Sequence, residues 1–268
     1  MDAGNSRLKW LHVQRGSGLQ RGYLPTAGLA EAGLVAAWRA LPKPGEVVVC
    51  SVAGGAVGDA VVAAAKQMWS LPVKTLKTSA VHAGLVCGYP EPSRLGVDRW
   101  AAMVGAWLRG HHGFMVADAG SALTIDAVDD RGHHLGGYIL PGIGMMRAAL
   151  LSGTEFGMGL AGDPAASPAI KTGTASGAAV LAPGTETLDA VNHGVLLACV
   201  GAVTGALALL SDPAVPVVYL TGGDASVLAP GLREARVNFT EAPDLVFEGM
   251  LGMTCAPDEA SALREGLG

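Results

Sequence analysis

The chain has 268 residues, of which half are hydrophobic, 15% are charged and 5% are aromatic. This length allows one large domain or two ordinary ones, with ample apolar material for a core. The net charge of −5 argues against a nucleic-acid binder, which normally carries a basic face, but a small anionic ligand needs only a few local basic residues.

The first half of the chain alternates strand-like and helix-like segments. An antiparallel pair is predicted at Leu8 to Val13 and around Tyr23. Three helices are predicted to follow, at Gly28 to Leu41, Ala56 to Trp69 and Gly96 to Leu108. Between them lie a buried strand at Glu46 to Val52 and a short strand at Val73 to Leu76. The third helix begins after a turn rich in proline, which ends the preceding structure.

The second half repeats this order. Four strands are predicted, at Phe114 to Ala117, Leu123 to Val128, Leu135 to Leu140 and Val215 to Leu220. Helices are predicted at Gly142 to Leu151 and Thr187 to Leu210, before the fourth strand, and at Leu245 to Thr254, after it. Ser152 to Pro183, rich in Gly, Pro, Ser and Thr, predicts an irregular segment near the site and not a domain linker. Hairpins followed by alternating helices and strands indicate an α/β fold with mixed sheets.

The tripeptide Asp-Ala-Gly occurs twice, at Asp2-Ala3-Gly4 and Asp118-Ala119-Gly120, separated by 118 − 2 = 116 residues. Each copy supplies a carboxylate and a glycine that lets backbone amides approach a ligand, which suits a phosphate chain with its metal. Either aspartate alone could simply be a turn residue bonded to its own backbone. Two copies at domain spacing predict two related lobes, 1–112 and 113–268, on either side of a nucleotide cleft.

Two common nucleotide fingerprints are absent from the sequence. No lysine follows a glycine, so there is no Walker-type phosphate loop, and Gly142-x-Gly144 lacks the third glycine of a dinucleotide fingerprint. A further cluster, Thr221-Gly222-Gly223-Asp224, follows a predicted strand. Its glycines could lie flat against an adenine or ribose, or they could form a tight strand-to-helix turn.

The cysteines and the apolar segments bear on location. Cys50, Cys87, Cys199 and Cys255 are far apart, which predicts buried thiols in a reducing, cytoplasmic compartment. Gly194 to Leu210 is almost unbroken apolar sequence, but its 17 residues barely suffice to cross a bilayer, so a core or interface helix is favoured and no membrane partner is expected. The adjacent histidine pairs, His111-His112 and His133-His134, are interpreted as exposed loop residues.

Five motifs in order carry a family resemblance. They are Asp2-x-Gly4-Asn5-Ser6, Gly96-Val97-Asp98-Arg99, Asp118-x-Gly120-Ser121-Ala122-x-Thr124-x-Asp126, Gly136-Gly137-Tyr138-Ile139-x-Pro141-Gly142 and Thr221-Gly222-Gly223. With them the chain resembles type III pantothenate kinases, of the superfamily that includes acetate kinase, hexokinase, actin and Hsp70. The resemblance implies an α/β fold of two duplicated ribonuclease H-like (actin-like ATPase) lobes, with mixed sheets flanked by helices.

The activity implied by the resemblance is ATP-dependent phosphorylation of pantothenate to 4′-phosphopantothenate, the first step of coenzyme A biosynthesis. It would require Mg²⁺ and a monovalent cation, K⁺ or NH₄⁺, in a homodimer. One alternative is a catalytically weak or inactive homologue that acts as an accessory or regulatory binding protein. Another is a kinase of related fold that acts on a sugar or a carboxylate.

The resemblance also implies roles for individual residues. A first phosphate loop for ATP would consist of Asp2, Ala3, Gly4, Asn5, Ser6, Arg7, Leu8 and Lys9, with Asp2 placed to hold hydrated Mg²⁺. Ser121 would be the second phosphate contact, and Asp118 the ligand of the monovalent cation. Pantothenate would contact Tyr89, Gly96, Val97, Asp98, Arg99 and Thr187.

Asp98 is the expected general base for the attacking hydroxyl. An aspartate in the first turn of a helix is also favourable simply through the helix dipole, so this role competes with a structural one. Arg99 would grip the pantothenate carboxylate or the transferring phosphate, or else be a surface cation. Tyr89 could instead serve packing, and Thr187 could instead cap the long helix.

The start of the sequence departs from the family pattern. Family members begin with a short apolar strand that ends at the first aspartate, whereas here Met1 directly precedes Asp2. Either translation starts further upstream or the first strand is shortened. A shortened strand would leave the first phosphate loop poorly anchored.

Overall fold

The computed structural model describes residues 1–14, 18–51, 55–110, 113–153, 181–210 and 217–255. The chain divides into two compact units. The first consists of Met1–His111, Gly132–His134 and the described part of Asp244–Gly268. The second consists of the described parts of His112–Arg131 and Leu135–Pro243.

The first unit is built on a five-stranded mixed sheet in the order β3-β2-β1-β4-β5. Its strands are β1 (Asp2–Ala3), β2 (Arg7–Gln14), β3 (Gly18–Pro25), β4 (Val47–Ser51) and β5 (Val73–Thr75). The short central strand β1 is antiparallel to β2 and parallel to β4. The first copy of Asp-Ala-Gly therefore starts in the middle of a sheet, where neighbouring strands fix its backbone on both sides.

Helices α1 (Glu31–Trp38) and α2 (Gly55–Trp69) pack against each other and against this sheet. Three of the five tryptophans of this aromatic-poor chain lie in their core. Trp38 stacks on Trp69 with ring centroids 5.4 Å apart, and Trp10 of β2 meets Trp38 edge to face at 6.3 Å. Such aromatic pairs contribute beyond the area they bury.

The rest of the first unit contains a small hairpin and two helices. The hairpin is formed by β6 (Val81–His82) and β7 (Leu85–Val86), and a 3₁₀ turn, Pro92–Arg94, leads into α3 (Val97–Gly110). Helix α7 (Leu245–Thr254) packs along α3. The sequence predicted one lobe over 113–268, whereas this last helix belongs to the first unit.

The second unit repeats the architecture of the first. Its sheet has the order β10-β9-β8-β11-β12, and its elements are β8 (Phe114–Ala119), β9 (Ala122–Val128), β10 (His134–Pro141), α4 (Ile143–Gly153), α5 (Thr187–Leu209), β11 (Val217–Thr221), α6 (Ala225–Glu234) and β12 (Phe239–Glu241). The central strand β8 is antiparallel to β9 and parallel to β11, as β1 is to β2 and β4. The predicted duplication of mixed sheets is confirmed.

Helix α5 is the one helix in the described ranges that is long and apolar enough to span a membrane by length and composition. Seven of its residues are buried, among them Val195, Cys199 and Val203, which belong to the core of the second unit. The interpretation as a core helix is confirmed. The predicted irregular segment lies mostly outside the described residues, as do His111 and His112.

Candidate active site

The first phosphate loop is the turn between β1 and β2. The Gly4 amide donates to the Arg7 carbonyl oxygen (3.1 Å), which closes the turn. Thr26, just after β3, fixes its tip: the Thr26 amide donates to the Ser6 carbonyl oxygen (3.1 Å), and the Thr26 hydroxyl donates to the Asn5 carbonyl oxygen. The loop is therefore held at its base by the sheet and at its tip by the next strand.

Side chains of this loop divide into buried and exposed ones. Ala3 and Leu8 are fully buried in the core, so only their backbone is available to a ligand. The Arg7 side chain is exposed, and its guanidinium lies 5.2 Å from the centre of the Tyr23 ring. Lys9 is partly buried and pairs with Asp2 across the two strands.

The surroundings of Asp2 disfavour the charged form of its carboxyl, and a bound cation would favour it. Burial raises the pKa of the Asp2 carboxyl, and the nearby Asp98 carboxylate raises it further, whereas the Lys9 ammonium opposes the shift. The thiol of Cys50, the strand partner of Asp2, is fully buried, and its pKa is also raised by burial and by both carboxylates. Asp2 and Asp98 thus share one partly desolvated region in the first unit.

Asp98 occupies the first turn of α3, as predicted. Its Oδ1 accepts from the Arg99 backbone amide (2.8 Å). A Cβ at Gly96 would lie 2.6 Å from this oxygen, so a larger residue there would force the carboxylate to shift. Val97 is buried in the packing of the helix, so its backbone alone could contact a ligand.

Arg99 lies beside a pair of stacked rings. It is only 8% exposed, and its Nη1 donates to the Tyr89 hydroxyl (3.2 Å). Tyr89 in turn stacks on His134, with centroids 5.9 Å apart and planes 10° apart. Arg99 is therefore a buried, oriented cation and not a surface one. His134 is 3% exposed, so its interpretation as an exposed loop residue was wrong, although it holds for the exposed His133.

The second Asp-Ala-Gly forms the turn between β8 and β9. The Gly120 amide donates to the Ala122 carbonyl oxygen (3.0 Å), and the Gly142 amide donates to the Ser121 carbonyl oxygen (3.0 Å). Gly222 has φ +97°, and a Cβ there would overlap Asp118 Oδ1. Glycines from three motifs therefore converge on this turn, which leaves Ser121 exposed and Asp118 partly buried.

Gly222 forms a tight strand-to-helix turn packed on Asp118, because the left-handed backbone and the close contact both require glycine. Contact of these glycines with an adenine or ribose stays a prediction. Thr187 is the exposed first residue of α5, whereas the N-cap is Glu186, so Thr187 does not cap the helix.

The family model for type III pantothenate kinase matches residues 1–208. The chain belongs to the type III pantothenate kinase family. It is 38% identical to a type III pantothenate kinase of Alkalilimnicola ehrlichii, over 93% of this chain and 94% of the relative. It is 35% identical to that of Albidiferax ferrireducens, over 94% of this chain and 95% of the relative. The family predicted from the five motifs is confirmed.

Solved structures give the same fold. A 2-dehydro-3-deoxygalactonokinase candidate from Sinorhizobium meliloti has a TM-score of 0.56 at 15% identity, covering 97% of this chain and 94% of its own. An activator of 2-hydroxyisocaproyl-CoA dehydratase from Clostridium difficile has a TM-score of 0.50 at 12% identity, covering 99% and 95%. At such identities the likeness establishes the fold alone. It agrees with the predicted pair of actin-like ATPase lobes.

The predicted site residues thus form two groups, each within its own unit. Asp2, Asp98, Arg99 and Tyr89 belong to the first unit, and Asp118, Ser121 and Thr187 to the second. Sequence reasoning missed Thr26 and misread His134, since neither stands in a motif or a periodic pattern. Among the described residues, no group of three or more His, Cys, Asp or Glu side chains could hold a metal.

Proposed function

We propose that this chain is a pantothenate kinase in which three residues of the first unit act together: Asp98 is the base, Asp2 holds the metal and Arg99 binds the acceptor. The hydroxyl oxygen of pantothenate bonds to the γ-phosphorus of ATP. The bond between the γ-phosphorus and the oxygen that bridges it to the β-phosphate breaks, and ADP leaves. The hydroxyl proton passes to a base. The products are 4′-phosphopantothenate and ADP. The observation that carries the proposal is that the Asp98 carboxylate, at the start of α3, is close enough to Asp2 to raise the pKa of its carboxyl, and that the buried Arg99 adjoins Asp98.

Asp98 is the base in this proposal. Its Oδ1 is fixed by the Arg99 amide, and Gly96 keeps the space next to that oxygen open. Phosphoryl transfer through a loose transition state requires mainly positioning and charge neutralisation, so a carboxylate that accepts the proton late is sufficient.

Arg99 and Tyr89 recognise the acceptor. A buried guanidinium is attracted to a carboxylate or a phosphate oxygen more strongly than an exposed one, because less water screens it. The Tyr89 hydroxyl accepts a hydrogen bond from Arg99 Nη1, and the Tyr89 ring is itself stacked on His134. Because the carboxylate of pantothenate is an anion distant from its primary hydroxyl, Arg99 can select the substrate without taking part in the bond changes. Thr187, the exposed first residue of α5, is proposed as a further contact for pantothenate.

In this proposal each Asp-Ala-Gly turn contributes residues of its own unit to ATP binding. The Asn5 amide of the first turn and the Lys9 ammonium would contact the phosphates, and Ser121 would supply a hydroxyl from the second unit. Asp2 would hold Mg²⁺, whose charge would offset that of the phosphates. Asp118 would hold K⁺ or NH₄⁺, since its carboxylate is fixed beside Gly222.

Two further features belong to the proposal. All four cysteines are free thiols, which supports a reducing, cytoplasmic compartment. Seven large apolar side chains are at least 40% exposed on β10, α4 and α5 of the second unit: Leu135, Tyr138, Ile139, Met145, Leu150, Leu197 and Leu209. Exposed apolar surface of this kind favours a homodimer through this unit. Sedimentation at micromolar concentration should give twice the monomer mass of 27.0 kDa.

The test is a coupled assay of ADP release with ATP, pantothenate and Mg²⁺, with and without K⁺, in which 4′-phosphopantothenate is identified by mass. Asp98→Asn should abolish turnover and leave ATP binding by calorimetry nearly unchanged. The matched control is Asp59→Asn, an exposed helical aspartate, which should retain full activity. Absence of product under every cation condition would refute the kinase, and full activity of Asp98→Asn would remove Asp98 from its role.

A further inference from the structure

His134 stands in none of the five motifs, yet it lies beside residues that are proposed to bind the acceptor. Gly132–His134 belongs to the first unit, as do Tyr89 and Arg99, so the contacts among them form within one unit. His134 is 3% exposed, whereas its neighbour His133 is exposed. A buried histidine can serve packing alone, and its contacts decide whether it does more.

The backbone of residues 132–134 runs beside the chain segment that leads to Tyr89. The Val86 amide donates to the Gly132 carbonyl oxygen (2.8 Å), and Val86 forms a parallel bridge with His133. Two residues further along, a Cβ at Gly88 would overlap the His134 carbonyl oxygen. Glycine at position 88 therefore lets the two segments touch, and the next residue, Tyr89, comes to lie on the His134 ring.

Both segments are attached to helix α3 through Trp107. The Trp107 indole Nε1 donates to the Ala83 carbonyl oxygen (2.8 Å), which holds the tip of the β6–β7 hairpin. Gly132 has φ +82°, and a Cβ there would lie 3.0 Å from the Trp107 ring. Trp107 is buried, and Arg99 belongs to the same helix. Helix α3 therefore carries Arg99 and also supports the two segments that bring His134 and Tyr89 together.

The side chains of His134, Tyr89 and Arg99 contact one another in series. The His134 and Tyr89 rings stack with centroids 5.9 Å apart and planes 10° apart, within the range of favourable aromatic pairs. The Tyr89 hydroxyl accepts from Arg99 Nη1 (3.2 Å), and the guanidinium carbon of Arg99 lies 5.9 Å from the centre of the Tyr89 ring. Because Tyr89 is only partly buried, the histidine ring restricts the motion of the tyrosine ring. A tyrosine ring held in one plane places its hydroxyl, and thereby the guanidinium, in one position.

We propose that His134 is a positioning residue of the acceptor site. Its ring fixes the plane of Tyr89, and the Tyr89 hydroxyl orients the Arg99 guanidinium toward the carboxylate of the acceptor. This role rests on the proposed function, in which Arg99 binds pantothenate. In this role His134 touches neither the acceptor nor ATP, so its loss lowers the affinity for pantothenate and leaves the phosphoryl transfer step unchanged. The role requires a planar ring at position 134, and a polar side chain without a ring does not fulfil it.

The test measures kcat and the KM values for pantothenate and ATP in three variants. His134→Asn removes the ring but keeps a polar side chain, and it should raise KM for pantothenate about two- to tenfold, the range expected for the loss of an aromatic pair. The kcat and the KM for ATP should change little. His134→Phe keeps a planar ring and should have a KM for pantothenate near the wild-type value. The matched control is His133→Asn, at the exposed neighbouring position, which should leave all three constants unchanged.

A double-mutant cycle tests whether His134 acts through Tyr89. In the Tyr89→Phe background, His134→Asn should raise KM for pantothenate less than it does in the wild type, because the hydroxyl that it positions is gone. Equal effects in the two backgrounds would overturn the proposal. So would an unchanged KM for pantothenate in His134→Asn, with or without a lower Tm, or equal increases of this KM for His134→Asn and His134→Phe. Absence of product from the wild type would remove the proposed function and this role together, whereas an active wild type without the expected pattern would remove only the role of His134.

Discussion

The contact between α3 and α7 makes a strong prediction about Gly249. A Cβ at Gly249 would overlap the Ala101 carbonyl oxygen and lie 2.5 Å from the Ala101 carbonyl carbon. Non-bonded carbons pack at about 3.5 Å or more, so Gly249→Ala must push the two helix backbones apart by about 1 Å. Overpacking of this kind costs up to about 3 kcal/mol, offset by about 1 kcal/mol from the better helix propensity of alanine. The net loss of about 2 kcal/mol lowers Tm by about 5 °C.

The same substitution should also impair catalysis. Ala101 lies one turn after Asp98 on α3, so the shift moves the proposed base. A displacement of about 1 Å can cost about 100-fold in rate, to be measured as kcat in the coupled assay at a temperature well below Tm.

Two glycines serve as matched controls. A Cβ at Gly252 on the same helix would meet the end of the flexible Leu108 side chain, so Gly252→Ala should cost less than Gly249→Ala. A Cβ at Gly201 on α5 would have nothing within 4 Å, so Gly201→Ala should stabilise the protein by up to about 1 kcal/mol. Equal Tm values for the Gly249 and Gly201 variants would refute the argument.

Three further predictions concern the proposed site. Because burial raises the pKa of Asp2, its ionised form destabilises the fold, and this cost disappears as the pH falls through the raised pKa. Asp2→Asn should therefore raise Tm at neutral pH, by an amount that shrinks on acidification. The variant should also lose the stabilisation by Mg²⁺ and ATP. An unchanged Tm at neutral pH would contradict this prediction. Tyr89→Phe removes the hydroxyl that accepts a hydrogen bond from Arg99 Nη1, a bond worth about 1.5–3 kcal/mol. The variant should raise KM for pantothenate roughly tenfold and leave kcat little changed. A fall in kcat alone would contradict the binding role. Asp118→Ala should remove the K⁺ dependence of the rate, and a K⁺ response equal to that of the wild type would exclude Asp118 as the ligand.

Most of the fold follows from patterns that are local in sequence. Helix α2 was predicted at Ala56 to Trp69 and occurs at Gly55–Trp69, and β9 was predicted at Leu123 to Val128 and occurs at Ala122–Val128. The elements missed have weak local patterns. The strands of the β6–β7 hairpin have two residues each, too few to show alternation. Helix α6 contains Pro230, which usually ends a helix.

The site was predictable where a motif marks it and not where tertiary contacts make it. Asp98 at the start of α3 follows from the breaker-rich turn before it. The burial of Arg99 does not, because it depends on Tyr89, which lies before that turn, and on His134, 35 residues further along the chain. The place of α7 in the first unit likewise depends on glycine contacts with α3, which no local pattern reveals.

In the proposed function the two Asp-Ala-Gly copies hold two different cations on one scaffold. Across the strands, Asp2 faces Lys9 and Cys50, whereas Asp118 faces Thr124 and Thr221. A lysine beside a carboxylate also attracts the phosphates that accompany Mg²⁺, so the first turn suits a metal that arrives with ATP. Threonines add no charge and bring hydroxyl oxygens, so the second turn suits a singly charged ion. The difference between the two proposed roles therefore follows from the neighbouring strands and not from the shared tripeptide.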